Sequence, residues 1–318
     1  MKRFDVVTVG EAMVRLSVRG GHTLETAPQY DVHIGGAESN VAVACARMGK
    51  SVAWMSRVSD DVFGARILGE LRRHGVNVEA ALVESGSRTG VYYAEIGDDP
   101  RGVAVTYDRS NSAATKMSAS NTDFSILADA AVLQVSGITP AISDSSSQMT
   151  TELLAKARES GCRIVFDVNF RARLWSTERA RTTLTSMCAV ADVVVCTRED
   201  ARDVFNLRSN DDPAGALASA LGVRQVVLTD GATGVHWHDD GSSGFAPSIP
   251  TSTVDRIGAG DAFCAGVVIG VVDGDLFSGV RKGQAMASLK RTMAGDLFLG
   301  SASDVAILLG ESTRSVKR

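Results

Sequence analysis

Six short apolar runs, rich in β-branched residues, constrain the fold of this chain more than any other feature. They are Val6–Val9, Val52–Met55, Val132–Val135, Ile164–Phe166, Val193–Cys196 and Val226–Leu228. None alternates apolar with polar residues as a half-exposed strand would. Strands of this kind need cover on both faces, as in a parallel sheet between helices. Helical patterns fall between the runs. Ala37–Met48 carries Val41, Cys45 and Met48 on one face, and Phe63, Ile67 and Leu71 recur before a stop at Gly75. Glu152–Glu159, Glu178–Val190 and Pro213–Leu221 continue the series. The pattern predicts an α/β domain with helices on both faces of the sheet.

Two regions depart from that rhythm. Segments 13–34 and 89–109 read as strands around polar turns at Arg19-Gly20-Gly21 and Gly97-Asp98-Asp99-Pro100. In the second, Val91, Tyr93 and Glu95 alternate with Tyr92, Ala94 and Ile96. They are expected to form a small β-sheet standing off the body as a lid within a single domain spanning 1–318. Such a lid would keep water from a transferring group. The tail Ser312–Arg318 is expected to fray.

Composition narrows the function. With 44% apolar and 22% charged residues the chain reads as globular, and its net charge of −4 argues against nucleic acid or an anionic membrane as partner. The five cysteines form no CxxC pair, so neither a disulfide framework nor a zinc site is expected. No apolar run approaches the ~18 residues of a membrane span. The expectation is a soluble, cytoplasmic protein.

The chemistry concentrates at Gly258-Ala259-Gly260-Asp261, directly ahead of the apolar helical stretch Ala262–Val272. A Gly-Ala-Gly turn lets backbone N–H groups converge on an anion at a helix start. Asp261 could take a proton from a hydroxyl there while the same amides stabilise a transferring phosphoryl. The alternative is an ordinary helix cap. Gly35-Gly36-Ala37-Glu38-Ser39-Asn40 is the second glycine turn, where Asn40 offers a donor and an acceptor to a sugar hydroxyl.

Other features carry less. Asp167-Val168-Asn169-Phe170-Arg171 stands at the C-terminal end of a parallel strand, where α/β proteins bind ligands. Arg171 could hold a phosphate or a carboxylate, or be a surface arginine beside Trp175. Arg109 lies at the end of the lid region and could fork onto the carboxylate of a sugar acid. Asp296 follows a helix end and a glycine and could reach a ligand. Gly49-Lys50-Ser51 imitates the end of a P-loop, but its glycine closes a helix instead of opening one. His236 and His238 share a strand face without an evident third metal ligand, and a solvated face is the simpler reading.

The pattern D-x-x-G-A-G-D-x-F-x-x-G at 255–266, with G-G-x-x-x-N-x-A at 35–42, resembles the ribokinase (PfkB) family of small-molecule kinases. Within it the branch acting on 2-keto-3-deoxygluconate matches best. The carrying motifs are Gly35–Asn40, T-G-x-Y at Thr89–Tyr92, Y-x-R-x-x-S-A at Tyr107–Ala113 and S-G-I-T-P at Ser136–Pro140. Asp167–Trp175 and L-K-x-x-x-x-G-D at Leu289–Asp296 complete them.

The resemblance implies a ribokinase-like three-layer α/β sandwich, with a mostly parallel central sheet and a β-sheet lid. The implied activity is ATP-dependent phosphorylation of a terminal primary hydroxyl, with Asp261 as base and Gly258, Ala259 and Gly260 as anion hole. It implies a sugar-acid site at Gly35, Gly36, Asn40, Tyr92, Tyr107, Arg109, Arg171 and Asp296. ATP would lie along Asn169, Thr197, Thr229, Gly231, Gly234, Gly258 and Gly260. Mg2+ would bridge the phosphates, with Asp200 contributing through water, although the usual N-x-x-E reads Thr197-Arg198-Glu199-Asp200 here. A monovalent cation stays open, and the free edges of the small sheet, with the apolar alternation at Val91–Ile96, lead to the expectation of a homo-oligomer paired through the lid. Arg256 replaces a common Thr without evident reason. A neutral-ketose kinase and a non-catalytic sugar-acid sensor on the same fold stay open as alternatives. A dehydrogenase is weaker, because no G-x-G-x-x-G follows the first strand.

Overall fold

The computed structural model describes residues 2–18, 21–97, 101–208 and 211–312. Arg19 and Gly20, Asp98–Pro100 and the tail beyond Ser312, where the two polar turns and the fraying tail are expected, lie outside the described residues.

The strands are β1 (Phe4–Val9), β2 (Met13–Val18), β3 (Asp31–Gly35), β4 (Val52–Ser59), β5 (Ala81–Glu84), β6 (Val91–Ile96) and β7 (Val103–Asp108). They continue as β8 (Ala130–Ser136), β9 (Arg163–Asp167), β10 (Val193–Thr197), β11 (Gln225–Asp230), β12 (Gly234–Asp239) and β13 (Ser242–Pro247). The helices are α1 (Ala37–Arg47), α2 (Val62–Arg73), α3 (Asp144–Glu159), α4 (Thr177–Cys188) and α5 (Arg198–Phe205). They continue as α6 (Pro213–Leu221), α7 (Ala259–Asp273), α8 (Leu276–Arg291) and α9 (Ala302–Leu308).

The large sheet runs β13-β12-β11-β10-β9-β8-β1-β4-β5. It is parallel from β11 to β5 and ends in the antiparallel hairpin β12–β13. The six apolar runs are six of its parallel strands. Residue parity divides the core, because successive side chains leave a strand on opposite faces. Val6, Val132, Val165, Val193 and Val227 pack with α1, α2, α7 and α8. Val7, Leu133, Phe166, Val194 and Leu228 pack with α3, α4 and α6 on the other side. This is the three-layer sandwich that the sequence predicts.

The second sheet runs β3-β2-β6-β7 and uses the two segments read as strands. Its four crossings to the body fall near Gly10–Ala12, Gly35–Gly36, Glu84–Gly90 and Arg109–Ala113. β6 lies inside this sheet, and β3 and β7 are its edges. Among the described residues, no helix is long and apolar enough to cross a membrane.

Several boundaries differ from the pattern reading. α3 begins at Asp144, where the Ser143 side chain accepts from Ser146 N–H, eight residues ahead of the expected start. Its polar first two turns hid it. α5 and the short β5 also went unread, and of α8 only the C-terminal end near Leu289 was read.

Candidate active site

Seven helices start with a side-chain cap, supplied by Asp61, Ser143, Ser176, Thr197, Asp212, Asp275 and Ser301. α1 and α7 do not. Their N-caps are Gly36 and Gly258, and no side chain satisfies their first N–H groups. The two glycine turns of the sequence are therefore the two helix starts left open for another partner.

Asp261 sits in the first turn of α7. One of its carboxylate oxygens, Oδ2, accepts from Asn40 Nδ2 at 2.7 Å, which joins the two open helix starts. Burial lifts the Asp261 pKa to about 6, opposed by the Asn40 hydrogen bond and by Arg171. The Ala259 N–H is already used by the Arg256 carbonyl at 3.2 Å. The N–H groups of Gly258, Gly260 and Asp261 have no acceptor among the described residues and are open to another partner. A Cβ on Gly260 would meet open space, whereas one on Gly258, at φ +84°, would lie 2.0 Å from the Asp296 carbonyl. Gly258 is needed for packing and backbone conformation, and Gly260 leaves room for a ligand. Arg256 itself is exposed, and nothing in the structure explains its side chain.

Facing this turn are the C-terminal ends of the parallel strands. Asp167 ends β9, and its pKa is pushed well up by burial and by the nearby Asp261 and Asp200. Asn169, at φ +38°, turns its amide back onto Asp167 at 3.3 Å. Asp200 accepts from Phe170 N–H at 3.3 Å, and burial raises its pKa to about 6. Thr197 caps α5 through the Asp200 N–H. Arg171 is exposed, has no ion-pair partner among the described residues, and lowers the pKa of Asp167, Asp200 and Asp261 alike. Thr229 is in register with Thr197 on the adjoining strand, so the Thr229–Gly234 turn occupies the same edge. Gly231 and Gly234 both have positive φ.

The lid contributes a second group. Tyr92 is buried and its hydroxyl donates to Asp296. The Tyr92 and Tyr107 ring centroids are 5.6 Å apart, and the Arg109 guanidinium stands 5.7 Å from the Tyr107 ring centroid. Arg109 is not a free cation, however. It pairs with buried Glu11, which also accepts from Ser112 Oγ. The glycines of the N-terminal motif are filled by protein too. A Cβ on Gly35 would meet Asp296 and Tyr92, and one on Gly36 would lie 2.1 Å from the Glu11 carbonyl.

Sequence reasoning missed the charges beneath these groups. Arg15 of β2 is fully buried and pairs with Asp255 and with Asp296, each at 2.7 Å. Lys290 of α8 is also fully buried. Glu38 is buried over Gly10 and accepts from Ser136 N–H, Ser136 Oγ and Thr139 Oγ1. A charged residue inside the strand Met-Val-Arg-Leu-Ser-Val was the available signal for Arg15.

The P-loop imitation is excluded by place. Ser51 bonds Asp5 at the opposite edge of the sheet, and Lys50 pairs with Asp273. His238 bonds Ser243, and His236 packs on Phe245. Among the described residues, no three His, Cys, Asp or Glu side chains are grouped to hold a metal directly.

A doubly covered parallel sheet, an acid at an uncapped helix start and a small second β-sheet are the frame of an α/β kinase of small molecules. The chain belongs to the pfkB family of carbohydrate kinases, whose family model matches residues 3–299. It is 38% identical to the 2-dehydro-3-deoxygalactonokinase of Haloferax volcanii, over 99% of both chains. It is 30% identical to the 2-dehydro-3-deoxygluconokinase of Bacillus subtilis, over 93% of this chain and 92% of that one. The crystal structure of the 2-dehydro-3-deoxygluconokinase of Thermotoga maritima superposes with a TM-score of 0.91 at 29% identity. That match covers 97% of this chain and 98% of that one.

Proposed function

We propose that this kinase transfers a phosphoryl group from ATP to the terminal primary hydroxyl of a 2-keto-3-deoxy sugar acid. The observation that carries the reading is the setting of Asp261: a partly buried carboxylate, its pKa raised to about 6, held by Asn40 on an open helix start. In that setting Asp261 accepts the hydroxyl proton while the Gly260 and Asp261 N–H groups stabilise charge on the phosphoryl. Arg171 supplies the cation for the sugar-acid carboxylate, and Arg109 joins it with its charge partly offset by Glu11. Tyr107 supplies an exposed hydroxyl for orientation, while Gly35, Gly36, Tyr92 and Asp296 form the wall behind the sugar. The β3-β2-β6-β7 sheet covers the site as a lid.

ATP is assigned to the strand edge formed by Asn169, Thr197, Thr229, Gly231 and Gly234, ending at Gly258–Gly260. The donor set there suits Mg2+: Asp200 and Asp167 offer hard oxygens, and burial, which raises the pKa of both, favours a cation beside them. When bound, magnesium supplies the charge that neutralises phosphate oxygens. The five cysteines are buried free thiols, which supports work in the reducing cytoplasm.

Related kinases named for both the gluconate and the galactonate epimer make these the two leading substrates. A coupled ADP-release assay with ATP and magnesium tests the assignment. The panel is 2-keto-3-deoxygluconate, its galactonate epimer, gluconate, fructose, ribose and adenosine. Turnover is expected with one or both 2-keto-3-deoxy acids. A clear preference for fructose or ribose would move the enzyme to neutral sugars.

A further inference from the structure

Lys290 has no role in the chemistry above, yet its ammonium is fully buried. Its Nζ donates to two backbone carbonyls, Asp255 O at 3.1 Å and Met293 O at 3.3 Å. These carbonyls belong to the two chain segments that brace the start of α7. In the first, the Asp255 carboxylate accepts from Ile257 N–H at 3.1 Å, one residue before Gly258. In the second, Gly295 N–H donates to Asp255 at 3.1 Å and the Asp296 carbonyl lies against Gly258. Arg15 bonds both acids from the lid side. Two buried cations thus face two buried acids, and the charges balance. Burial pulls the Lys290 pKa down, and Asp255 and Asp296 oppose that pull.

Two carbonyl oxygens that converge on one buried point make a place for a cation, because their dipoles repel without one. Here the cation is tethered to α8. We propose that Lys290 is a positioning residue whose ammonium clamps Asp255–Gly258 to Met293–Asp296. The clamp sets the Gly260 and Asp261 N–H groups against the phosphoryl, and it leaves this turn with no need of a dissociable monovalent cation. The effect on turnover rests on the kinase reading; the clamp itself does not.

The test compares wild type, Lys290→Ala and Lys290→Met in ammonium chloride and in choline chloride at equal ionic strength. Misplacing donors by a fraction of an ångström costs roughly ten- to a hundredfold in rate. Lys290→Ala should lose that much kcat with the sugar KM changed by less than about threefold. Ammonium, but not choline, should restore part of the kcat and raise the melting temperature of Lys290→Ala, because the vacated space admits it. Lys290→Met, which fills the space without charge, should stay impaired in both salts. Wild type should turn over equally in potassium, sodium and choline salts. Equal responses of Lys290→Ala to ammonium and choline, or wild-type kcat in Lys290→Ala, would overturn the proposal. So would a wild-type enzyme that needs a small monovalent cation, and this arm decides even if the variants do not fold. If wild type releases no ADP with any sugar acid, the functional reading has failed, and the ammonium-specific rise in melting temperature alone judges the clamp.

Discussion

Two residues show how environment decides what a side chain can do. The raised pKa of Asp261 has consequences for rate and for stability. As a base it must be ionised, so kcat/KM should rise with pH through about 6 and level above it. A profile flat from about pH 5 to 8 would remove Asp261 as the base. Folded protein holds more protons here than unfolded protein between the ordinary carboxylate range and about 6, so stability falls as pH rises across that window. Asp261→Asn should therefore lower kcat by roughly 10²–10⁴-fold. It should also stabilise the fold at neutral pH by up to about 3 kcal/mol, and by much less near pH 4. Urea denaturation at both pH values measures this, and a loss of stability at neutral pH would contradict it. Arg109 was legible as a cation near the lid, but its pairing with Glu11, 98 positions away, was not. Arg109→Leu should weaken sugar-acid binding roughly tenfold or more and destabilise the fold by several kcal/mol, since Glu11 loses its partner. Adding Glu11→Gln should restore the stability and leave sugar-acid binding weak. Recovery of both together would make Arg109 structural only.

At the scale of elements, the position of the catalytic turn depends on how α7 packs against α8. Their backbones meet at glycines: a Cβ on Gly266 would lie 2.2 Å from the Gly283 Cα, and one on Gly270 would lie 2.5 Å from the Gly279 Cα. The helix start that carries Asp261 is fixed by this close approach. Gly266→Ala should cost about 1–3 kcal/mol by overpacking. Gly69→Ala, in α2 where a Cβ meets nothing, should be neutral or stabilising by up to about 1 kcal/mol. Thermal melts of both variants test the contrast; similar shifts would mean the helices can separate at little cost. The same contact explains why only the end of α8 was read. A helix that buries glycine and alanine shows no apolar periodicity, and Leu276–Arg291 has its glycines where a stripe of leucines would normally appear. α7 was legible because it is apolar throughout and opens on an unmistakable turn.

For the whole molecule, the main question is how the lid works against the body. Arg173 of the body donates to the Val105 carbonyl of β7 at 2.6 Å, and Arg15 of β2 is locked to Asp255 and Asp296. The second sheet is thus tied to the strand-end loop that holds Arg171 and to the segments that brace the start of α7 at once. We propose that its edges pair with those of a second copy. The alternation in β6 that suggested this serves another purpose, since β6 is interior and buries Tyr92 and Ala94. The support now comes from β3 and β7, edge strands with Val32 and Tyr107 exposed. Sedimentation at micromolar concentration should show a dimer, and Val32→Lys with Tyr107→Lys should dissociate it. A fully active wild-type monomer would reject the pairing.

The sequence by itself determined the layers of this protein and pointed to the turn where we place its chemistry. Strands buried on both faces are mostly apolar, and an acid behind Gly-Ala-Gly can be read within four residues, because both are local patterns. It also marked both segments of the second sheet through their departure from that pattern. What only the tertiary structure decided is which charges meet. Asn40 on Asp261, Glu11 on Arg109, and Arg15 between Asp255 and Asp296 each join residues roughly a hundred or more positions apart. Coulomb interactions and burial depend on distance in space, and the raised pKa values of these acids arise only when the chain has closed around them.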